Sequence, residues 1–340
     1  MTMIGSSLVK DRVRQSLAFL CYWLGVDLLF YFLNRKVKKI ITFHNVLPVE
    51  MCRSIPHVGV STDLATFEKT IDEIAMRFSF STDICDANTI TLTFDDGTFN
   101  EYEIAGESLK KRNVPAVLFV AGDMIGANEF TVPVVERLCV WVQFVPFEIA
   151  RENFDVASRE DLWVKVVQPA YRKDWETRGE RCFEKFDGIY PYKKILAELP
   201  TEWKCLRMRG VTLSHLQELR LRGWLIGWHT KSHFPLGCLP LSERRVELDA
   251  PKEMKNVVLG YPYGDPDAVG TETPYLAAEM GYPCAVSNCS NRTPMHGPYF
   301  MMRMEVSSNR YDIHFQLSGA KYFFQNLSLL PKKVELVDAR

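Results

Sequence analysis

The sequence has no Cys-x-x-Cys pair, and its nine cysteines are odd in number and scattered, which excludes a zinc ribbon and a disulfide framework. They read instead as free thiols in a reducing compartment, serving as small buried apolar side chains, so the expected location is cytoplasmic. Excess positive charge is also lacking. A formal net charge of -1 leaves no electrostatic footprint for DNA or RNA. No small-residue cleavage site follows the first apolar run; "NRKVKK" does, which disfavours a cleaved signal peptide. Internal repeats, low-complexity segments and flexible linkers are absent. What remains is an ordinary globular composition, 47% hydrophobic and 24% charged over 340 residues, long enough for one large α/β core.

Residues 1–37 stand apart from the rest. Between Lys10, Arg12 and Arg14 on one side and Arg35, Lys36, Lys38 and Lys39 on the other lies "SLAFLCYWLGVDLLFYFL", Ser16 to Leu33, with Asp27 as its one charge. The run predicts a helix. At about 1.5 Å per residue it reaches roughly 27 Å, just short of a bilayer core. Three placements stay open: a helix packed on the following domain, a peripheral helix in the membrane interface at the inner face, and a span.

Residues 38–340 alternate strand and helix. "VKKIITFHNV", "TITLTF", "VPAVLFVA", "WLIGWH", "VVLGYPYG", "PCAVS" and "YFMMRMEV" read as strands. "DLATFEKTIDEIAMRF", entered near Ser61, Thr62 and Asp63, reads as a helix, as do "NEYEIAGESLKKRN" and "TLSHLQELRLRG". From about 129 to 210 the rhythm breaks into a mostly helical insertion with four tryptophans, Trp141, Trp163, Trp175 and Trp203. Those rings suit either a sugar-stacking wall or the core of a small helical unit. The alternation predicts a parallel sheet or barrel with its site at the carboxyl ends of the strands.

Two motifs carry chemistry. "TLTFDDG" ends an apolar strand in Asp95 and Asp96, two carboxylates whose repulsion calls for a nearby cation. "GWHTKSH" sets His229 and His233 four apart directly after a strand, on one side of a turn. A carboxylate and two imidazoles make a three-ligand divalent site with open positions, and the other carboxylate is then free to act as a base. A haloacid-dehalogenase-type phosphatase signature fails here, because its nucleophile would fall on Phe94.

With both motifs in this order, the chain resembles the polysaccharide deacetylases, carbohydrate esterases with the NodB homology domain. The resemblance covers about residues 38 to 310. It rests on Thr93-Phe94-Asp95-Asp96-Gly97 and on His229-Thr230-Lys231-Ser232-His233. It implies an α/β fold, a distorted (β/α) barrel, with a divalent metal, usually zinc, on Asp96, His229 and His233. Asp95 would be the general base, and the N–H of Tyr263 in "GYPYG" would stabilise the oxyanion, with Pro262 and Tyr263 lining the substrate cleft. Gly260 stands where the family's third motif has arginine; Arg303 is the replacement, with Arg292 the weaker one. The late histidine that serves as general acid is matched best by Asp312-Ile313-His314, then by His296. The fourth motif's Asp and Trp are not recognisable around "CAVSNCSNR". His44, at the end of the first strand, resembles a substrate-cleft position of the family.

The function expected is metal-dependent removal of N- or O-linked acetyl groups from a carbohydrate, a cell-envelope or exopolysaccharide precursor. The alternatives are a catalytically impaired carbohydrate-binding relic of the same fold and a C–N hydrolase acting on non-sugar amides.

Overall fold

A computed structural model describes residues 3–55, 61–288, 297–306 and 308–326. Seven strands form one parallel sheet: β1 (Lys39–Phe43), β4 (Ile90–Phe94), β5 (Val117–Val120), β6 (Leu225–Trp228), β7 (Leu259–Gly260), β8 (Ala285–Ser287) and β9 (Met301–Met302), adjacent in that order. Their side chains are apolar on both faces, as a parallel sheet covered by helices requires. The first and last strands meet. Met304 bridges Ile41, with Thr42 N–H donating to Met304 O and Met304 N–H to Ile40 O, so the sheet closes into a distorted barrel.

The first predicted strand is divided. β1 ends at Phe43, and after His44 the short β2 (Asn45–Leu47) pairs instead with β3 (Ser61–Asp63) in a separate two-stranded ladder. Asn100 explains the departure, because its amide accepts from Val46 N–H and donates to Asn45, Thr98 and the Leu206 carbonyl. Polar satisfaction of that buried corner pulls the chain out of the barrel wall.

Two helices that flank the site's strands start at side chains that cap them. Asp63 caps Leu64–Ala75 by accepting from Thr66 N–H, and Thr212 caps Leu213–Leu221 in a reciprocal capping box with His215. Between β5 and β6 the chain forms short helices from Val134 to Arg207. There Trp141, Trp163 and Trp203 are buried, so these three rings build a helical core and not a stacking wall.

The apolar run Ser16–Leu33 is not one helix. α1 (Met3–Trp23) and α2 (Val26–Leu33) are separated at Leu24 and Gly25, which has φ 69°, and bend by 83°. Both pack on the helices Arg310–Leu317 and Ala320–Asn326 that follow the barrel. Asp27, the one charge in the run, is buried and bonded to Arg77 Nη1 at 2.7 Å. Among the described residues no single helix is long and apolar enough to cross a membrane.

Candidate active site

The carboxyl ends of five barrel strands converge. β4 delivers Asp95 and Asp96, β1 delivers His44, β6 delivers His229 and His233, β7 leads to Tyr263 and β9 to Arg303. Successive strand residues face opposite ways, so both aspartates can serve one site only if the strand is ending there. It is: Asp96 has φ 81° and Gly97 φ 86°. A Cβ on Gly97 would lie 2.7 Å from Val120, so the turn needs glycine for space as well as for angle.

Asp96 Oδ1 lies 3.0 Å from His233 Nε2 and 3.6 Å from His229 Nε2. One ligand atom from each of the three residues falls within 4.8 Å of the others, and all three side chains are buried. His229 Nδ1 sits 2.8 Å from the Gly260 carbonyl. A carbonyl only accepts, so Nδ1 carries the proton and Nε2 turns its lone pair toward Asp96. This donor set fits a divalent cation.

Electrostatics agree with that fit. Burial pushes the His229 pKa down to about 4, keeping the imidazole neutral as a ligand must be. Burial also disfavours charge on His233, yet adjacent Asp96 more than reverses it and raises its pKa. Metal uptake near pH 7 is therefore expected to displace protons from His233, and affinity is expected to weaken as pH falls. Calorimetry in buffers of different ionisation enthalpy measures the yield, and zero release at pH 7 would contradict the assignment.

Asp95 is held differently. Arg303 donates from Nη1 to Oδ1 at 2.5 Å and from Nη2 to Oδ2 at 2.6 Å, with a further bond to Thr93 Oγ1 at 3.1 Å. His44 Nε2 approaches Oδ2 at 3.5 Å. Burial alone would raise the Asp95 pKa, but the Arg303 guanidinium and the imidazoles outweigh it and hold it below the ordinary value. Asp95 thus stays ionised. Gly260 accounts for the missing arginine on β7, since a Cβ there would meet Phe119 at 2.7 Å and His229 Nδ1 at 3.1 Å. The guanidinium reaches in from β9 instead, passing over the Phe119 ring.

Tyr263 has φ 62°, and its ring packs 5.2 Å from that of His233. Its backbone N–H has no acceptor among the described residues. Pro262 precedes it in the same turn, where its carbonyl accepts from Gly264 N–H. Six non-glycine residues among those described have positive φ, and four of them, Asp96, Thr230, His233 and Tyr263, belong to this site. Strain of that kind concentrates where geometry is imposed by function.

His314 does not join them. It lies in the helix Arg310–Leu317, fully buried, with Nε2 3.0 Å from Glu73 and Nδ1 3.1 Å from the Tyr31 hydroxyl. This corrects its expected place as general acid. That helix packs under α1, α2 and Leu64–Ala75, where His314 ties three helices together. Arg292 and His296 lie outside the described residues.

Four supporting residues carry no signal in the sequence. Glu101, fully buried, accepts from Gly97 N–H at 3.0 Å and so braces the turn; burial, then Asp96 and Asp95, push its pKa well above the ordinary range. Glu136 and Arg207 of the insertion form a buried pair at 2.7 Å whose charges act on His233 and Asp96. Glu247 clamps the histidine loop: its carboxylate accepts from Ser232 N–H, Ser232 Oγ and Arg178 Nε, and its carbonyl from Lys231 N–H and Trp228 Nε1. Glu247→Ala is expected to weaken metal affinity about 10- to 100-fold, read by competition with a chromophoric chelator. Unchanged affinity would show that the loop holds without it.

No family model and no curated relative matches the chain. Solved structures do resemble it. The deacetylase PplD of Streptococcus pyogenes, in complex with acetate, is 14% identical, with 83% of this chain and 99% of that chain covered and a TM-score of 0.49. IcaB from Ammonifex degensii is 14% identical, covering 82% of this chain and 96% of that one at TM-score 0.48. A de-N-acetylase from Aggregatibacter actinomycetemcomitans is 12% identical, with coverages of 80% and 95% and TM-score 0.47. At such distances the chemistry of the site stands on its own residues and their separations.

Proposed function

We propose that this chain is a metal-dependent hydrolase that removes an N- or O-linked acetyl group from a carbohydrate. One observation carries the reading: three buried ligand atoms on Asp96, His229 and His233 lie beside an ionised Asp95 that Arg303 holds by both oxygens. A divalent ion on this two-nitrogen, one-oxygen set, zinc being the natural choice, would polarise the acetyl carbonyl and acidify the attacking water.

The chain's own residues supply the rest. Asp95 accepts the proton of the water, and Arg303 fixes the plane of its carboxylate. The Tyr263 N–H is assigned to the oxygen that gains charge, and its left-handed backbone is the cost of that placement. His44, the remaining imidazole at the site among the described residues and partly exposed, is assigned to proton delivery to the leaving nitrogen or oxygen. We assign the substrate to acetylated cell-envelope or exopolysaccharide precursors, from the motif set and the scattered, unpaired cysteines.

Acetate release from a panel of N- and O-acetylated saccharides tests this, with chelator and metal restoration as controls. Release that chelation stops and metal restores supports it. Silence of metal-loaded protein across the panel would favour a binding relic, and release from non-sugar amides alone a different C–N hydrolase.

A further inference from the structure

We propose that the outward face of α1 and α2 docks on the surface of an anionic phospholipid bilayer. Trp23, Leu24, Leu28, Leu29, Phe32 and Leu33 are each between 56% and 74% exposed, and they lie on and between two consecutive helices. Singly exposed apolar residues are ordinary; six large ones on adjoining turns mark an interaction surface.

The opposite faces of the same helices are already satisfied. Ala18 and Cys21 pack with Phe315 and Ala320, Tyr31 meets His314, and Asp27 is paired with Arg77. As a charge inside the apolar run, Asp27 weighs against lipid contact until its direction is known. Its carboxylate faces the protein, so the outer face carries no charge of its own within the run.

The rim identifies the occupant. Arg12, Arg35 and Lys36 are exposed at the two ends of the run, and Asp27 is the one acid from residue 12 to 49. The Arg35 guanidinium lies 4.6 Å above the Phe32 ring, which places a cation beside an aromatic as interfacial helices do. An apolar face with exposed cations at both ends, one of them Arg12 next to Asp11 in the chain, complements anionic headgroups over acyl chains. A two-fold dimer through this face would instead crowd the cations of both copies. With an 83° bend, the pair suits a position in the interface plane and not a span.

The test is flotation of the full chain with neutral phosphatidylcholine vesicles and with vesicles containing phosphatidylserine. We expect binding to the anionic vesicles that weakens with salt, and at least about a tenfold loss in Leu28→Glu/Phe32→Glu. Arg35→Glu/Lys36→Glu should lose the preference for anionic lipid. Circular dichroism and metal content, both remote from this face, report whether the variants are folded. No flotation with either vesicle overturns the proposal, as does equal binding to both. It is overturned too by a concentration-dependent dimer that Leu28→Glu/Phe32→Glu disperses. Binding that appears only after truncation at Asn326 would assign the face to the chain's own residues 327–340. None of these outcomes bears on the deacetylase reading.

Discussion

Asp95→Asn is expected to lower acetate release by about 10²- to 10⁴-fold, the range a positioned general base contributes, while metal content stays unchanged. The two effects separate because Asp95 is bound by Arg303 and His44, whereas Asp96 faces the ligand histidines. The variant carries a second cost. The Arg303 side chain is fully buried, and losing the charge that faces it leaves an uncompensated guanidinium, worth about 3–5 kcal/mol of stability. Arg303→Met added to Asp95→Asn should therefore recover stability without recovering activity. Urea unfolding and acetate release, run on the single and double variants, give the comparison. Activity within tenfold of wild type in Asp95→Asn would remove Asp95 from the mechanism.

His229→Ala should abolish stoichiometric metal binding. Loss of a partner that merely supports a ligand costs about 10- to 100-fold in affinity, and loss of the ligand itself should exceed that. The arrangement also predicts how the protein responds. Without His229 Nε2, Asp96 and His233 remain 3.0 Å apart, and the His233 proton that metal would displace closes them into an ion pair. Elemental analysis of wild type beside the variant reads the effect. About one ion per chain in wild type, lost in His229→Ala, is the expected pair of values; no metal in wild type after reconstitution would end the hydrolase reading.

Much of the site is written locally in the chain. "TFDDG" and "HTKSH" are short motifs at strand ends, and a strand end is where this architecture gathers its chemistry, so Asp95, Asp96, His229 and His233 stand out once the two motifs are read together. The alternation of apolar runs with amphipathic ones is enough for the parallel sheet. Capping residues are readable as well, Asp63 and Thr212 being bonded within three residues of themselves.

What the tertiary structure decided lies in pairs far apart along the chain. Arg303 and Asp95 are 208 positions apart, and they meet because Met304 bridges Ile41 and closes the barrel. Arg178 and Glu247 meet because the insertion folds back on the histidine loop. His314 has a plausible motif and goes elsewhere, since Glu73 and Tyr31 satisfy it in a helical layer remote in sequence. The same holds for Asp27, whose partner Arg77 turns a charge inside an apolar run into an inward anchor. Periodicity and caps are written in neighbouring residues, whose geometry the backbone fixes. Which buried charge finds which partner is settled by desolvation, and that depends on the whole closed barrel.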